Sequence, residues 1–432
     1  MAEERTRLGQ SDKMEYTDEA VLATGKPWDW RTPFISLQNR NFRLFIIGSL
    51  VSTTALQMQQ LAQNYLVYDL TGLATAIGYV SAAIGVSLLI FSLVGGIAAD
   101  RMAKKQLMII GQLGIAAVTL LLAILITTGL IQVWHIVVTS IVIGIIAAFT
   151  MPARQSYVPD LVGTEKLTNA LALNAGMMNM TRIGGPALAG VLIGMFGVGP
   201  IYYVKVVAYG IFVAFLFLIP IAGKVDTTST RSPLGDAIDG LRYLRDDRKV
   251  LELLILAMVP VILGLPYVNF LPVFQKEVFH LGPSALGWMM SAVGSGAVFG
   301  ALVVASLGDY KYKGRILLGS GLGFGISLAL FAVVANTGSF TVTLVILALT
   351  GATSTAYTAL NNALVLTITP PEMRGRVMGV FMTTFGMMPL GALPMGALTD
   401  NIGAPLTTGI FGVLTLAFFV LATIFRPHLR RL

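Results

Sequence analysis

Residues Gly95 to Lys105 read GGIAADRMAKK, and a similar stretch, ASLGDYKYKGR, runs from Ala305 to Arg315. Each stretch follows a long apolar run and combines small residues with an aspartate and several basic residues. At one offset of about 209 positions, three residues recur: Asp100 as Asp309, Gly78 as Gly287, and Gly85 as Gly294. Matching loop chemistry and matching glycines at one offset indicate that the chain contains two copies of one structural unit.

A second pair of segments supports the repeat. GGPALAGVLIGMFGVGP (184–200) corresponds to LGALPMGALTDNIGAP (390–405) at an offset of about 205 positions. The polar, arginine-rich stretch 223–249 separates the two copies. Two parallel repeats of membrane helices joined by a linker are typical of secondary transporters, whose binding site lies between the repeats near the middle of the membrane.

The composition indicates an integral membrane protein. The 432 residues are 55% hydrophobic and 12% charged, with a mean hydropathy of +0.79, whereas soluble domains carry about 25% charged residues. A water-soluble enzyme is therefore excluded, as is a disordered chain. There is no cysteine, so disulfides, thiolate nucleophiles and thiolate metal sites are excluded too. The net charge of +8 does not indicate nucleic acid, because the basic residues do not cluster on a soluble face.

Long apolar runs predict an all-α integral membrane protein with twelve transmembrane helices, each needing about 20 residues. The first six predicted spans are 44–68, 76–99, 106–130, 134–151, 170–196 and 201–221. The other six are 250–273, 286–307, 316–335, 340–362, 377–398 and 405–425. The predicted organisation is an N-terminal six-helix bundle (44–222), a linker (223–249), a C-terminal six-helix bundle (250–425) and a short tail (426–432).

The basic residues predict the orientation. Lys276 alone lies in a loop after an odd-numbered span, and Arg182 and Lys205 lie within spans. All other Lys and Arg lie in the tails and in the loops after even-numbered spans, so the positive-inside rule places both termini in the cytoplasm. The N-terminal tail 1–43 has no apolar signal region, and its aromatic and arginine residues from Trp28 onward favour a segment lying in the headgroup layer.

These residues resemble the major facilitator superfamily. Gly96-x-x-x-Asp100-Arg101-x-x-Lys104-Lys105 is similar to the superfamily's signature between spans 2 and 3. Finer motifs resemble the branch of macrolide-efflux proteins and enterobactin exporters: LQNRNFRLF (37–45), LVYDLTG (66–72), PARQSYVPDLV (152–162) and PPEMRGRVMGV (370–380). Span 5, with Gly176, Gly185, Pro186 and Gly190, is similar to the antiporter signature of drug exporters.

The resemblance implies a gating role for the two repeated loops, as latches that form when the cytoplasmic side closes. The gating residues expected are Asp100, Arg101, Lys104, Lys105, Asp309, Lys313 and Arg315. The alternative is that the basic residues have no gating role and only keep these loops on the cytoplasmic side. One departure affects proton coupling, because Ser140 stands where drug–proton antiporters of the superfamily commonly carry arginine, four residues before a glycine. Asp69, Glu277 and Asp400, at outer helix ends, are then the proton-coupling candidates, with solvated loop charges as the alternative.

Arg182 is the most informative single residue of the spans. It falls near the middle of span 5, where a charge is costly unless it is paired or hydrated. No Asp or Glu lies in the central part of any predicted span, so water, backbone carbonyls or a substrate anion must satisfy the guanidinium. A substrate-binding role and a purely structural role are both open.

Polar stripes on spans 1 and 10 predict the walls of a cavity. Gln57, Gln60 and Asn64 fall within about 60° of one another on a helix, and Tyr357 and Asn361 belong to a stripe on span 10. Such faces are costly against lipid, and in the superfamily spans 1, 4, 7 and 10 line the cavity. Tyr267 and Asn269 in span 7 complete the predicted substrate-binding set with Arg182. Interhelical hydrogen bonding is the alternative.

The sequence thus predicts an alternating-access exporter of a drug- or siderophore-like amphipathic small molecule, working as a monomer by proton-coupled antiport in the bacterial cytoplasmic (inner) membrane. The direction of transport rests on the resemblance. Neither a cofactor nor a metal is expected. A lysolipid or other lipid transporter of the same fold is the alternative substrate class. A non-transporting receptor, a channel or an intramembrane enzyme is the alternative of another class, although HExxH, GxSxG and a mid-span carboxylate pair are all absent from the sequence.

Overall fold

A computed structural model describes the chain over the following residues: 32–163, 166–223, 247–307, 310, 312–370, 373, 377–378, 380–381, 384 and 386–431. Within these ranges all regular structure is helical. Part of the predicted N-terminal segment, most of the linker and Asp309 lie outside them. For Asp100 and Arg101 the helical backbone is described and the side chains are not.

The helices follow the predicted spans closely. The first half contains α1 (Arg40–Thr71), α2 (Ala74–Arg101), α3 (Lys104–Thr127), α4 (Val133–Val162), α5 (Leu167–Phe196) and α6 (Gly199–Leu218). The second half contains α7 (Arg248–Val278), α8 (Pro283–Ser306), α9 (Lys313–Asn336), α10 (Phe340–Ile368), α11 (Pro389–Ile402) and α12 (Ala404–Phe425).

Among the described residues, nine of these helices are long and apolar enough to cross a membrane. The others are α1, α5 and α11. Amides in α1 and polar residues together with Arg182 in α5 lower their mean hydropathy, and α11 is described over only 14 residues. These polar residues are the ones that the sequence assigned to a cavity.

Two helices differ from their predicted form. Span 4 was expected to end at residue 151, before Pro152, but α4 continues through Pro152 and Pro159 to Val162. Membrane helices tolerate proline because neighbouring groups satisfy the freed carbonyls. The α7 span is irregular, because π-helical turns at Pro260–Gly264 and Phe274–Val278 flank a 3-10 segment, Leu265–Phe270.

A short 3-10 helix, Thr32–Gln38, precedes α1 and attaches to the same half. The Ser36 hydroxyl donates to the Lys166 carbonyl at 3.1 Å. The Asn39 amide donates to the Leu161 carbonyl at 2.7 Å, and its carbonyl oxygen caps α1 by accepting from the backbone of Asn41 and Phe42. The predicted interfacial segment is therefore tied, over these residues, to the ends of α4 and α5.

The packing of the apolar core differs between the two ends of the molecule. The end where α1 begins and α2 ends, here called the basic end, has one apolar cluster in each half: one includes Phe45, Tyr157 and Phe212, the other Leu253, Tyr357 and Phe419. At the opposite end, a single cluster contains residues of both halves, including Tyr68 and Ile193 from the first and Phe274 and Met395 from the second. Among the described residues, the apolar core therefore joins the halves at one end and is divided between them at the other.

Candidate functional site

The halves approach each other most closely where glycines bring helix backbones together. A Cβ built on Gly190 of α5 would lie 2.6 Å from the Cα of Gly287 in α8. On the other side of the molecule, a Cβ on Gly78 of α2 would lie 3.0 Å from the carbonyl oxygen of Ala392 in α11. Gly78 and Gly287 are the pair that the internal repeat relates, so equivalent glycines make equivalent cross-half contacts.

Polar contacts close the opposite end around these glycines. The Asp400 carboxylate at the end of α11 accepts from the backbone nitrogen atoms of Ala74 at 2.6 Å and Thr75 at 2.9 Å, and from the Thr75 hydroxyl. Lys276 pairs with Asp69 across the halves at 3.0 Å. These contacts join the first and second halves directly.

Asn269 forms the next layer of the closure, toward the middle of the molecule. Its carbonyl oxygen accepts from the Asn64 amide at 3.3 Å, and its own amide donates to the Ser81 hydroxyl at 3.2 Å. Two of the predicted substrate-binding residues, Asn64 and Asn269, therefore bridge the halves in this conformation. Of the three predicted proton-coupling residues, Asp69 and Asp400 join the halves, and Glu277 is exposed beside Tyr68.

Toward the basic end, the interior face of α5 becomes exposed. At about 100° per residue, Ala189, Arg182, Met178 and Leu171 lie on one face, of which Ala189 is buried and the other three are exposed. Exposed apolar residues on the other side of α5, such as Val191 and Met195, cover its outward surface. Arg182 therefore lies on the interior face of α5, whose exposed part, from Arg182 toward the basic end, is here called the cavity.

Arg182 makes no hydrogen bond or ion pair with any residue that the structure describes, and its side chain is exposed in the cavity. The Tyr267 phenol lies within range of electrostatic interaction with it. Tyr267 is 1% exposed. Its ring centre lies 6.1 Å from that of Phe331 in α9, and its hydroxyl has no hydrogen-bond partner among the described residues. Arg182 is therefore accessible in this conformation, whereas Tyr267 is buried in the second half, and a contact of Tyr267 with substrate stays a prediction.

The amides of α1 divide between two environments. Gln57 packs against Gly185 of α5, and Gln60 is exposed. Gln59 and Gln63 are instead buried among the helices of the first half, where Gln63 donates to the Ser140 hydroxyl at 3.2 Å. Ser140, which stands in the superfamily's arginine position, is thereby satisfied by a neutral amide.

The predicted residues of α10 lie inside the second half rather than on the open cavity. The Tyr357 hydroxyl donates to the Leu256 carbonyl at 2.5 Å, and the Asn361 amide donates to the Leu253 carbonyl at 3.1 Å. Both side chains line a small internal space beside α7. In this conformation they hold α10 to α7, and a contact of either residue with substrate stays a prediction.

Two basic residues of the first half were not assigned a role from the sequence. Arg154 of α4 donates to the Thr53 hydroxyl at 2.9 Å, and its guanidinium carbon lies 5.2 Å from the centre of the Phe212 ring. Lys205 of α6 is 1% exposed, and its ammonium donates to the Gln59 side-chain carbonyl. Arg154 was missed because the predicted span stopped at Pro152, and Lys205 because its partner, an amide, gives no charge signal.

The gating candidates that the structure describes make contacts within their own halves. Lys104 pairs with Asp160 at 2.9 Å, and Lys105 donates to the Ile219 carbonyl at 2.6 Å. Lys313 begins α9, and the Arg315 guanidinium carbon lies 4.4 Å from the centre of the Tyr312 ring. With the basic end open, neither loop is engaged as a cross-half latch through these residues.

Comparison with known proteins agrees with this architecture. Residues 31–430 match the model of the transmembrane secretion effector family. The staphyloferrin A transporter of Staphylococcus aureus is 26% identical over 362 residues, covering 83% of this chain and 89% of that protein. Macrolide efflux protein A of Streptococcus pyogenes is 24% identical, covering 82% and 88%. The enterobactin exporter of Shigella dysenteriae is 24% identical, covering 88% and 91%.

Among solved structures, a variant of the nucleoside transporter NupG superimposes with a TM-score of 0.74. The two chains are 16% identical, and the match covers 89% of this chain and all of that one. The two proteins therefore share the arrangement of their helices.

Proposed function

We propose that this chain, which belongs to the transmembrane secretion effector family of the major facilitator superfamily, is a secondary active exporter that works by alternating access. It is a bacterial multi-pass membrane protein, and its described fold is helical. We place twelve spans in two bundles, 44–222 and 250–425, with both termini and the linker 223–249 in the cytoplasm and the whole protein in the inner membrane. The basic end is then the cytoplasmic end.

The observation that carries the proposal is the difference between the two ends. One apolar cluster joins the halves at the outer end, and two separate clusters leave them apart at the cytoplasmic end. Such an arrangement corresponds to a carrier open to the cytoplasm and closed to the outside. A channel needs no such one-sided seal, whereas a carrier must exchange one seal for the other in each cycle.

The roles of individual residues follow from this conformation. Asp400 and the Asp69–Lys276 pair close the outer gate, with Asn64 and Asn269 beneath them. Substrate enters from the cytoplasm and contacts Arg182, Gln57 and Gln60, and we retain Tyr267, Tyr357 and Asn361 as contacts in later states. Lys104, Lys105, Lys313 and Arg315, together with Asp100, Arg101 and Asp309, form the cytoplasmic latch when that end closes.

The substrate that we propose is an amphipathic organic molecule of the drug or siderophore type. Support comes from the relatives, which are named for macrolide efflux, for export of enterobactin and for transport of staphyloferrin A. Proton antiport is the proposed coupling. Asp69, Glu277 and Asp400 are the carboxylates that could carry the proton, because they lie at the outer gate, where the contacts of Asp69 and Asp400 change when the gate opens.

Everted membrane vesicles test the proposal. A macrolide and a catecholate siderophore are offered on the exposed cytoplasmic face, with and without a protonophore. Accumulation that the protonophore abolishes is expected. Uptake only into right-side-out vesicles would refute the direction, and accumulation unaffected by the protonophore would refute proton coupling.

The absence of native cysteine allows a direct test of alternating access. Asp69→Cys and Lys276→Cys, joined by a short thiol-reactive crosslinker, tie the outer gate shut. Transport should stop on crosslinking and return on reduction, while the single-cysteine proteins treated in the same way continue to transport. Full activity of the crosslinked protein would exclude a gate at this end.

A further inference from the structure

The charged side chains in the depth of the described helices are all cationic. Arg154, Arg182 and Lys205 lie inside α4, α5 and α6, respectively. The described acidic residues lie at or near helix ends: Asp69, Asp160, Asp247, Glu252, Glu277 and Asp400. The interior of the first half is therefore positive, without a carboxylate at the same depth among the described residues.

Two of the three cations are already occupied by oxygen atoms of the protein. Arg154 donates to Thr53, and Lys205 donates to Gln59. Arg182 has neither a hydrogen-bond nor an ion-pair partner among the described residues, although its side chain is exposed in the cavity. A guanidinium at this depth is costly unless water or an anion satisfies it, so Arg182 is the one of these three cations that is available to a ligand.

We propose that Arg182 binds the carboxylate of an amphipathic organic acid, so that this carrier prefers organic anions to cations. The proposal rests on the exporter function above and specifies its substrate class. A guanidinium binds a carboxylate through two parallel hydrogen bonds.

The test uses three naphthalene compounds that differ only in charge: 2-naphthoate, 2-naphthamide and 2-naphthylmethylammonium. Their binding to the purified full-length protein is measured by equilibrium dialysis at constant ionic strength. We expect naphthoate to bind at least 10-fold more tightly than either of the other two. Equal binding of the three compounds, tighter binding of the ammonium compound, or no measurable binding of naphthoate would overturn the proposal.

Substitutions test whether Arg182 forms the binding site for naphthoate. Arg182→Gln should weaken naphthoate binding by at least 10-fold and leave naphthamide binding unchanged, and Arg182→Lys should recover part of the loss. Arg43→Gln removes an equal charge from an exposed position at the start of α1 and should leave binding unchanged. Retention of wild-type naphthoate affinity in Arg182→Gln would overturn the assignment.

The anion site and the exporter function can be refuted independently of each other. Naphthoate that binds at Arg182 without crossing vesicle membranes would leave the anion site intact and refute the exporter. Gradient-driven export of the ammonium compound in preference to naphthoate would support the exporter and refute the anion site.

Discussion

Asp400 caps a helix of the other half: its carboxylate lies 2.6 Å from the backbone nitrogen of Ala74, 326 residues earlier in the chain. A carboxylate at a helix N-terminus gains both hydrogen bonds to free N–H groups and a favourable interaction with the helix dipole. Since α2 begins at Ala74, this single side chain ties the first turn of α2 to the end of α11. The outer gate therefore includes a helix cap in which the capping residue and the capped helix lie far apart in the sequence.

Asp400→Asn should shift the carrier toward its outward-open conformation. The substitution removes the charge and one of the two acceptor oxygens, and caps contribute about 0.5–2 kcal/mol, equivalent to a roughly 2- to 30-fold change in the ratio of conformations. Spin labels on cysteines replacing the exposed residues Leu130 and Leu281 should report a longer distance. Asn401→Ala is the matched control, because the Asn401 amide donates only to Ala397 of its own helix. An unchanged distance in Asp400→Asn would exclude the cap as part of the gate.

The Asp69–Lys276 pair should matter less. Its side chains are 51% and 43% exposed, and exposed ion pairs contribute about 0–1 kcal/mol. Lys276→Gln should therefore lengthen the same label distance less than Asp400→Asn does. The exchanged pair Asp69→Lys with Lys276→Asp should restore the wild-type distance, and high salt should abolish the difference. A larger effect than that of Asp400→Asn would show that the ranking of these two contacts is wrong.

Gly190→Ala should open the outer seal and slow transport. The added methyl group would lie 2.6 Å from the Gly287 Cα, so α5 and α8 must move apart, and overpacking of this kind costs about 1–3 kcal/mol. Gly194→Ala, one helical turn further along α5, meets no atom within 4 Å and provides the control. Uptake rates and label distances should change in Gly190→Ala only. Normal transport in both variants would mean that the close approach is dispensable.

Lys205→Met should raise the thermal stability of the protein. The buried ammonium has an amide as its hydrogen-bond acceptor, and one neutral partner does not offset the cost of burying a charge. Gln59→Leu should lower the melting temperature, because it removes that acceptor, and the double variant should recover it. Thermal unfolding in one detergent measures all three. A melting temperature for Lys205→Met well below wild type would show that the lysine contributes net stability.

Most of the helices could be predicted from the sequence because a long apolar run marks a span. The ends of α8 and α12 agree with the prediction within a few residues, and the repeat relates Gly78 to Gly287, which make equivalent cross-half contacts. The end of α4 was not predicted: the apolar run ends at residue 151, and the helix continues to Val162. Inside a bundle, other groups satisfy the carbonyl that proline frees, and the sequence does not contain that information.

The site was less predictable because partners come from distant helices. Arg182 was recognisable as an uncompensated charge, whereas Lys205 requires knowledge of Gln59, which is 146 residues away. Periodicity placed Tyr357 and Asn361 on an inward stripe, but could not tell a wall of the central cavity from the contact between α10 and α7. The contacts that make the distinction are those with the Leu253 and Leu256 carbonyls of α7, which accept from these two side chains.

A cavity that holds Arg182 without a carboxylate has an electrical consequence. If each cycle carries one organic anion outward, the cell's inside-negative membrane potential favours the step by about 2.3 kcal/mol per charge for every 100 mV. Exchange for one entering proton would add a second charge moving in the same electrical sense. Export of an acid would then draw on voltage as well as on the pH gradient, and would continue when the pH difference alone is collapsed.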